Sequence, residues 1–361
     1  MAYKLFIPGP TEVIEEVREK MSVEMMGHRS KAFSVLYDQV SSKLKKMLGT
    51  QNRVFLSTSS ALGVMEACVR NLVKNRSLNL VCGAFSDRWY KMVGECGKQA
   101  DKIEVEWGRA IKPEMVDAKL KAGQYDTLFI THNETSTGVM NPIAEIMAVA
   151  RKYPDIVVCV DAVSSLAGAK IEVDKLGLDV CLASVQKSFA LPPGLAIFSC
   201  SQKAIDRSKE VEGRGYYFDF QMFVKYDDKS QTISTPSIAH INALNYQLDR
   251  ILAESMDKRE ARLTEMAEYT RQWALDQGFE LFSEPGYESV TLTCIKNNLG
   301  IDVAAVINQV KERGMEFGNG YGKVKGQAFR IAHMGDLCLA DIKAVTGAIA
   351  AVIGSSAQAE V

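Results

Sequence analysis

Seven short apolar runs, most of them rich in β-branched residues, recur through the first two thirds of the chain, at 53–57, 78–83, 102–106, 127–131, 156–161, 180–184 and 195–199. Most are separated by amphipathic stretches long enough for a helix. Parallel strands need such crossovers, whereas hairpins need only a few residues, so the spacing predicts an α/β fold with a mainly parallel sheet covered on both faces. The last run differs. It follows its predecessor after a short Pro192-Pro193-Gly194 turn, an interval that admits an antiparallel return.

After about residue 240 the pattern changes. Residues 238–271 read as one long helical segment, followed by a strand at 289–294, an amphipathic helix at 303–313, a run at 328–332 and a last helix around 339–353. A chain of 361 residues is long for one core. The expected division is a large unit over 1–240, including an N-terminal segment 1–20, and a linking helix with a small C-terminal α/β unit over 241–361. The tail 354–361 is expected to fray.

Lys and Arg number 43 against 44 Asp and Glu, for a net charge of -1. That balance offers no electrostatic footprint for nucleic acid or an anionic membrane. The eight cysteines are scattered with no C-x-x-C pair, and the four histidines (28, 132, 240, 333) have no ligand spacing. Small buried thiols in a reducing compartment are expected rather than a disulfide frame or a metal centre. Pro8 and Pro10 interrupt any apolar signal core and no run reaches membrane-spanning length, so the expected location is the cytoplasm.

In an open parallel sheet, ligands collect beyond the carboxyl ends of the strands. Asp161 closes the run 156–161. A carboxylate there either caps the following helix, the commoner role taken alone, or faces a protonated ring nitrogen. Lys187 stands in Ser184-Val185-Gln186-Lys187-Ser188, between two apolar runs and beside the rigid turn. Most lysines are solvated surface charges. One that loses water has a depressed pKa and becomes a nucleophile for a carbonyl. The loop Ser57-Thr58-Ser59-Ser60-Ala61-Leu62-Gly63 leads into a predicted helix, and small residues with free helix N–H groups suit a phosphate, although many ordinary N-caps look the same.

In chain order, that loop, then Thr131-His132-Asn133-Glu134-Thr135-Ser136-Thr137-Gly138, then Asp161-Ala162-Val163, then Gln186-Lys187 with Pro-Pro-Gly, resembles the class V aminotransferases of the fold-type I pyridoxal-phosphate enzymes. Within them it resembles the alanine–glyoxylate/serine–pyruvate aminotransferase branch. The likeness runs from Pro8-Gly9-Pro10-Thr11 to Arg330-Ile331. It implies a fold-type I transferase with a large sheet-and-helix domain and a smaller C-terminal α/β domain, and pyridoxal 5′-phosphate as cofactor. Lys187 would carry the cofactor as a Schiff base and later move the proton at the substrate Cα, while Asp161 would pair with the ring nitrogen. Val163 and Phe85 would pack on opposite ring faces, although Phe85 also fits ordinary core packing. Thr135 and Gln186 would hydrogen-bond the cofactor. Its phosphate would rest on Ser60, Ala61 and Leu62. Relatives usually show Gly and then Thr or His where Ala61 and Leu62 stand, so a side-chain donor is missing here. A second subunit of a homodimer would complete the phosphate cup, with Thr235 and Gln231 as candidates. Arg330 would take the substrate α-carboxylate, which suits a guanidinium fork, with an internal ion pair as its other use. Gly9 would let the backbone approach the substrate, and His28 is as readily structural.

The implied reaction is ping-pong transamination from alanine or serine to glyoxylate or pyruvate. No second receptor for an acidic side chain is evident, which favours small substrates. Two alternatives stand beside it. A class V lyase such as a cysteine desulfurase typically has His before the cofactor lysine and a reactive cysteine on a mobile loop; here Gln186 precedes Lys187, and Cys338 is the late cysteine near Arg330. A non-catalytic subunit of a redox complex on the same scaffold would not need Lys187, Asp161 and Arg330 together.

Overall fold

The structure is a computed structural model that describes residues 3–359, with side chains as far as Gly354. The central sheet has seven strands, in the order Arg53–Ser57, Ala196–Cys200, Val180–Ser184, Val157–Asp161, Thr127–Thr131, Arg76–Val81 and Gln99–Glu104. Only Ala196–Cys200 runs against its neighbours. The strands Thr127–Thr131, Val157–Asp161, Val180–Ser184 and Ala196–Cys200 are buried at every position, as strands covered on both faces must be. Alternate residues serve opposite cores. Leu128, Ile130, Val158 and Val160 join one, and Phe129, Val157 and Cys159 join the other.

The helices follow the same logic. Lys31–Leu48 buries Phe33, Leu36, Tyr37, Val40, Leu44, Met47 and Leu48, one face of a 3.6-residue period. Ser30 caps its start by accepting from the Phe33 N–H at 3.2 Å, and Gly49 ends it in the left-handed region at φ 57°.

Some boundaries differ from the sequence pattern for local reasons. The strand Arg76–Val81 stops before Gly83 because the Cys82 and Gly83 N–H groups donate to Ser86 Oγ, at 3.0 and 3.1 Å, as the next helix begins. Residues 238–271 are not one helix. Ile238–Glu254 and Met256–Asp276 meet at Ser255, which has φ 70° and whose Oγ accepts from Lys258 N–H at 3.3 Å to start the second helix. The strand Leu292–Lys296 begins later than expected because Ser289 Oγ holds a turn, accepting from Thr291 and Leu292 N–H at 3.1 and 3.3 Å. The last helix is Leu339–Ala359, so its backbone continues into the tail expected to fray, and Glu360 and Val361 lie outside the described residues.

A second, five-stranded sheet has the order Lys4–Phe6, Met315–Asn319, Ala328–Ala332, Leu292–Lys296 and Glu280–Leu281. Its outermost strand comes from the N-terminus. Lys4–Phe6, grouped with the large unit on sequence, pairs in parallel with Met315, Glu316 and Phe317. The chain therefore begins on the small sheet and passes the central sheet's carboxyl edge at Thr11, whose N–H donates to Gln186 O at 3.0 Å. All eight cysteines are free, and six of them are buried. Among the described residues no helix is long and apolar enough to cross a membrane.

Candidate active site

Asp161 ends its strand on the carboxyl edge of the central sheet and is buried. Its carboxylate accepts from the Val163 N–H at 2.9 Å and makes no ion pair among the described residues. Burial, reinforced by the Glu134 charge, pushes its pKa up to about 7, while the Val163 N–H and Lys187 pull the other way. A carboxylate so placed lacks a cation, and a protonated ring nitrogen would supply one.

Lys187 lies on the turn after the neighbouring strand. The turn is pinned on several sides: Thr11 Oγ1 donates to Lys187 O at 2.9 Å, Ala190 N–H to Lys187 O at 2.8 Å, and Leu191 N–H to Val185 O at 3.0 Å. The amine donates to Pro8 O. Burial first, then the Arg330 cation, brings its pKa down to about 8, with Asp161 opposing. At Gly9, with φ +110°, an added Cβ would stand 2.5 Å from Lys187 Nζ. The close approach expected of Gly9 is thus toward the lysine amine.

Arg330 reaches the same place from the small sheet, opposite Cys294 and Gly318 in register. It is buried, and its Nε and Nη1 donate to Asn319 O at 2.9 Å and Thr135 O at 3.2 Å. The Tyr321 ring centroid lies 5.7 Å from its guanidinium carbon, and burial lowers its pKa. Thr135 thus serves Arg330 through its carbonyl, with its side chain enclosed.

The remaining predicted residues are distributed around this centre. Gln186 Oε1 accepts from Ser184 Oγ at 2.5 Å, and Val163 is half-buried against the core behind Asp161. Phe85 stacks on Tyr321, with ring centroids 5.2 Å apart and planes 14° off parallel. Ser60 is exposed, and its side chain makes no cap to the helix Ala61–Leu72. Ala61 is buried and Leu62 exposed, so neither side chain adds a polar group to the uncapped helix start. Gln231 accepts from Arg29 Nη1 at 2.9 Å and Thr235 is exposed. Next to Thr235, Ser234 Oγ donates to Tyr217 Oη at 3.5 Å, and Tyr217 Oη donates to Thr58 O at 3.0 Å. One tyrosine thus links that segment to the Ser60 loop. Among the described residues no hydrogen bond ties His28 to these groups.

Two participants escape sequence reasoning. Glu134 is fully buried, and its carboxylate accepts from Phe85 N–H (3.1 Å), Ser86 N–H (2.9 Å), Ser86 Oγ (2.9 Å), Ser136 N–H (3.2 Å) and Ser136 Oγ (2.6 Å). An anion at the start of the helix Ala84–Glu95 is favoured by the helix dipole, and this one locks Phe85 beside Thr135. Its signal was a carboxylate among Ser and Thr, beside Thr135. Tyr321 carried no signal beyond its glycine-rich surroundings.

A nucleophilic amine, a buried carboxylate lacking a cation, a guanidinium and an uncapped helix start fit pyridoxal phosphate. The class-V aminotransferase family model matches residues 8–320. The chain belongs to this family. This class-V aminotransferase is 34% identical to a serine–glyoxylate aminotransferase of Hyphomicrobium methylovorum, over 92% of this chain and 85% of that one. It is 32% identical to an L-aspartate–glyoxylate aminotransferase of Paracoccus denitrificans, over 95% and 88%. Its fold superposes on an alanine–glyoxylate aminotransferase from Nostoc sp. with a TM-score of 0.93 and 27% identity, covering 98% of this chain and 96% of that one. The fold is that of the fold-type I aminotransferases, the enzyme is a transaminase acting on amino and oxo acids, and its cofactor is pyridoxal 5′-phosphate.

Proposed function

We propose that this enzyme, in the cytoplasm, transfers the amino group of a small amino acid, alanine or serine, to glyoxylate or pyruvate in two half-reactions. The observation that carries this assignment is the convergence of Lys187, Asp161 and Arg330: burial and the Arg330 cation bring the lysine's pKa down to about 8, with the Asp161 charge opposing. About a tenth of the amine is then neutral at pH 7, far more than for an ordinary lysine, and both covalent attachment and proton transfer use that form.

When bound, the cofactor supplies the electron sink that lets a Cα proton leave. Every other task falls to side chains. Lys187 would hold the cofactor through Nζ, and the same amine would take the proton at the substrate Cα. Asp161 holds the ring nitrogen protonated. Arg330 takes the α-carboxylate through the part of its fork not engaged by Asn319 and Thr135. Ser60, with the Ala61 and Leu62 N–H groups, would hold the phosphate, and Val163, Phe85, Thr135 and Gln186 would hold the ring. Exposed Leu62 (42%), Tyr216 (70%) and Tyr217 (39%) leave an apolar rim beside that loop, which supports a homodimer whose second copy brings Gln231 and Thr235 to the phosphate. Desulfurase chemistry finds less support. Cys294 is buried with its thiol pushed up to about 12, and Cys338 donates to Asp341 at 3.3 Å.

The test is the visible spectrum of the protein with pyridoxal phosphate, before and after alanine, serine or aspartate, beside Lys187→Ala. A band bleached by alanine or serine and restored by glyoxylate or pyruvate supports the assignment. Bleaching by aspartate alone would replace the donor class, and a band unchanged in Lys187→Ala would overturn the role of Lys187.

A further inference from the structure

Arg259, in the helix Met256–Asp276, is among the largest side chains the fold encloses, at 2% exposure. A guanidinium carries five N–H donors. Here four hydrogen bonds are made: Nε donates to Ala167 O at 2.7 Å, Nη2 to Ser188 O at 2.9 Å and Gly335 O at 3.1 Å, and Nη1 to Glu254 Oε2 at 2.7 Å, while the Asp336 carboxylate lies 3.6 Å from Nη1 as a second ion-pair partner. The carbonyls are not arbitrary. Ser188 follows Lys187, Gly335 lies on the turn leaving the Arg330 strand, and Ala167, at φ 63°, follows the Asp161 strand.

The first two of these turns also press on each other. A Cβ on Gly335, where φ is +69°, would stand 3.0 Å from Ala190 Cβ, and Ala190 closes the lysine turn by donating its N–H to Lys187 O. Arg259 itself faces none of the reacting groups. Four of its five N–H groups are hydrogen-bonded, three to backbone carbonyls and one to Glu254, and the side chain is enclosed away from solvent.

We propose that Arg259 is a positioning residue: its guanidinium ties the turn behind Lys187 to the turn behind Arg330, so that amine and carboxylate receptor meet one substrate in a fixed relation. This rests on the assignment of Lys187 and Arg330 above. Lysine cannot substitute, because an ammonium has three tetrahedral donors in place of the planar fork and cannot make all four hydrogen bonds.

The experiment compares full-length wild type, Arg259→Lys and Arg250→Met. Arg250 belongs to the same charged cluster, donating to Asp336 at 2.8 Å and to Gln247 at 2.7 Å, but to none of the three turn carbonyls. The pH midpoint of Lys187 acylation is read by competitive labelling and mass spectrometry of the cofactor-free chain, and kcat/KM is read on the holoenzyme. In Arg259→Lys the loosened turn admits water to the amine, so the midpoint rises by about one unit and kcat/KM falls ~10²-fold, the scale of a 1 Å misplacement. In Arg250→Met both stay at wild-type values even if the melting temperature drops. Agreement between the two variants in both readouts would overturn the proposal and leave Arg259 a stabilising residue only. Should Arg259→Lys fail to fold, Arg259→Gln is read against the same two outcomes. Lys187→Ala separates the failures. If wild-type cofactor uptake does not depend on Lys187, the assignment of the amine is wrong; if it does and the midpoint stays, only the role of Arg259 falls.

Discussion

Replacing Gly9 by alanine should separate folding from catalysis. The added Cβ would lie 2.5 Å from Lys187 Nζ, 2.6 Å from Cδ and 2.8 Å from Cε. Ordinary carbon contacts are about 3.5–4.0 Å, so the lysine must retreat by roughly 1 Å. A lysine can swing, which relieves the clash but carries the amine away from where it acts. Stability then bears chiefly the backbone term, since φ is +110° at this residue. A non-glycine residue held in such a region costs on the order of 1–3 kcal/mol, a shift of a few degrees in melting temperature. Catalysis bears the displacement, at ~10²-fold in kcat, or about 2.7 kcal/mol of barrier. The assay is kcat at saturating donor and a thermal melt on the same preparation. A Gly9→Ala enzyme with kcat within about twofold of wild type would refute the claim that this glycine sets the lysine's position.

Further outcomes follow from the charges and bonds of the site. For Asp161 the folded-state pKa is raised from 3.8 to about 7, so its cost is absent below about pH 4, grows as pH rises, and is full above about pH 7. Cofactor-free Asp161→Asn escapes that cost, on the order of 4 kcal/mol, and should melt above wild type at pH 8 with the gap closing near pH 4, while its holoenzyme loses at least ~10² in kcat; melts showing no pH-dependent gap would count against the burial argument. Covalent uptake of the cofactor needs neutral Lys187, so its rate should climb through about pH 8 to a plateau, and in Arg330→Met the midpoint should move up because a cation that lowers it has gone. A flat stopped-flow profile between pH 7 and 9 would contradict this. Glu134→Gln turns an amide donor toward the N–H groups of Phe85 and Ser86 or toward Ser136, leaving buried donors unpaired at about 1–3 kcal/mol each. Its melting temperature should fall clearly, and a melt equal to wild type would show that those donors find other partners.

Much of the fold was legible because periodicity is written locally. Thr127–Thr131 and Val180–Ser184 are short, largely apolar or β-branched runs, the pattern of a strand buried on both faces. Gln99–Glu104 was displaced in the reading because an edge strand with polar residues lacks that mark. The break at Ser255 was invisible because the apolar spacing continues across it, while the cap that makes it is one hydroxyl.

By itself, the sequence determined the parallel sheet, the order of the strand-end loops, and the family to which Lys187, Asp161 and Arg330 belong, since each of these is carried by residues adjacent in the chain. Only the tertiary structure decided that the N-terminal strand joins the C-terminal sheet, that Gly9 lies against the lysine amine, that Glu134 locks Phe85, and that Arg259 gathers three turns. The physical reason is common to all four. Each depends on hydrogen bonds or contacts between segments far apart in the chain, and a backbone carbonyl awaiting a distant donor leaves no trace in the identity of its own side chain.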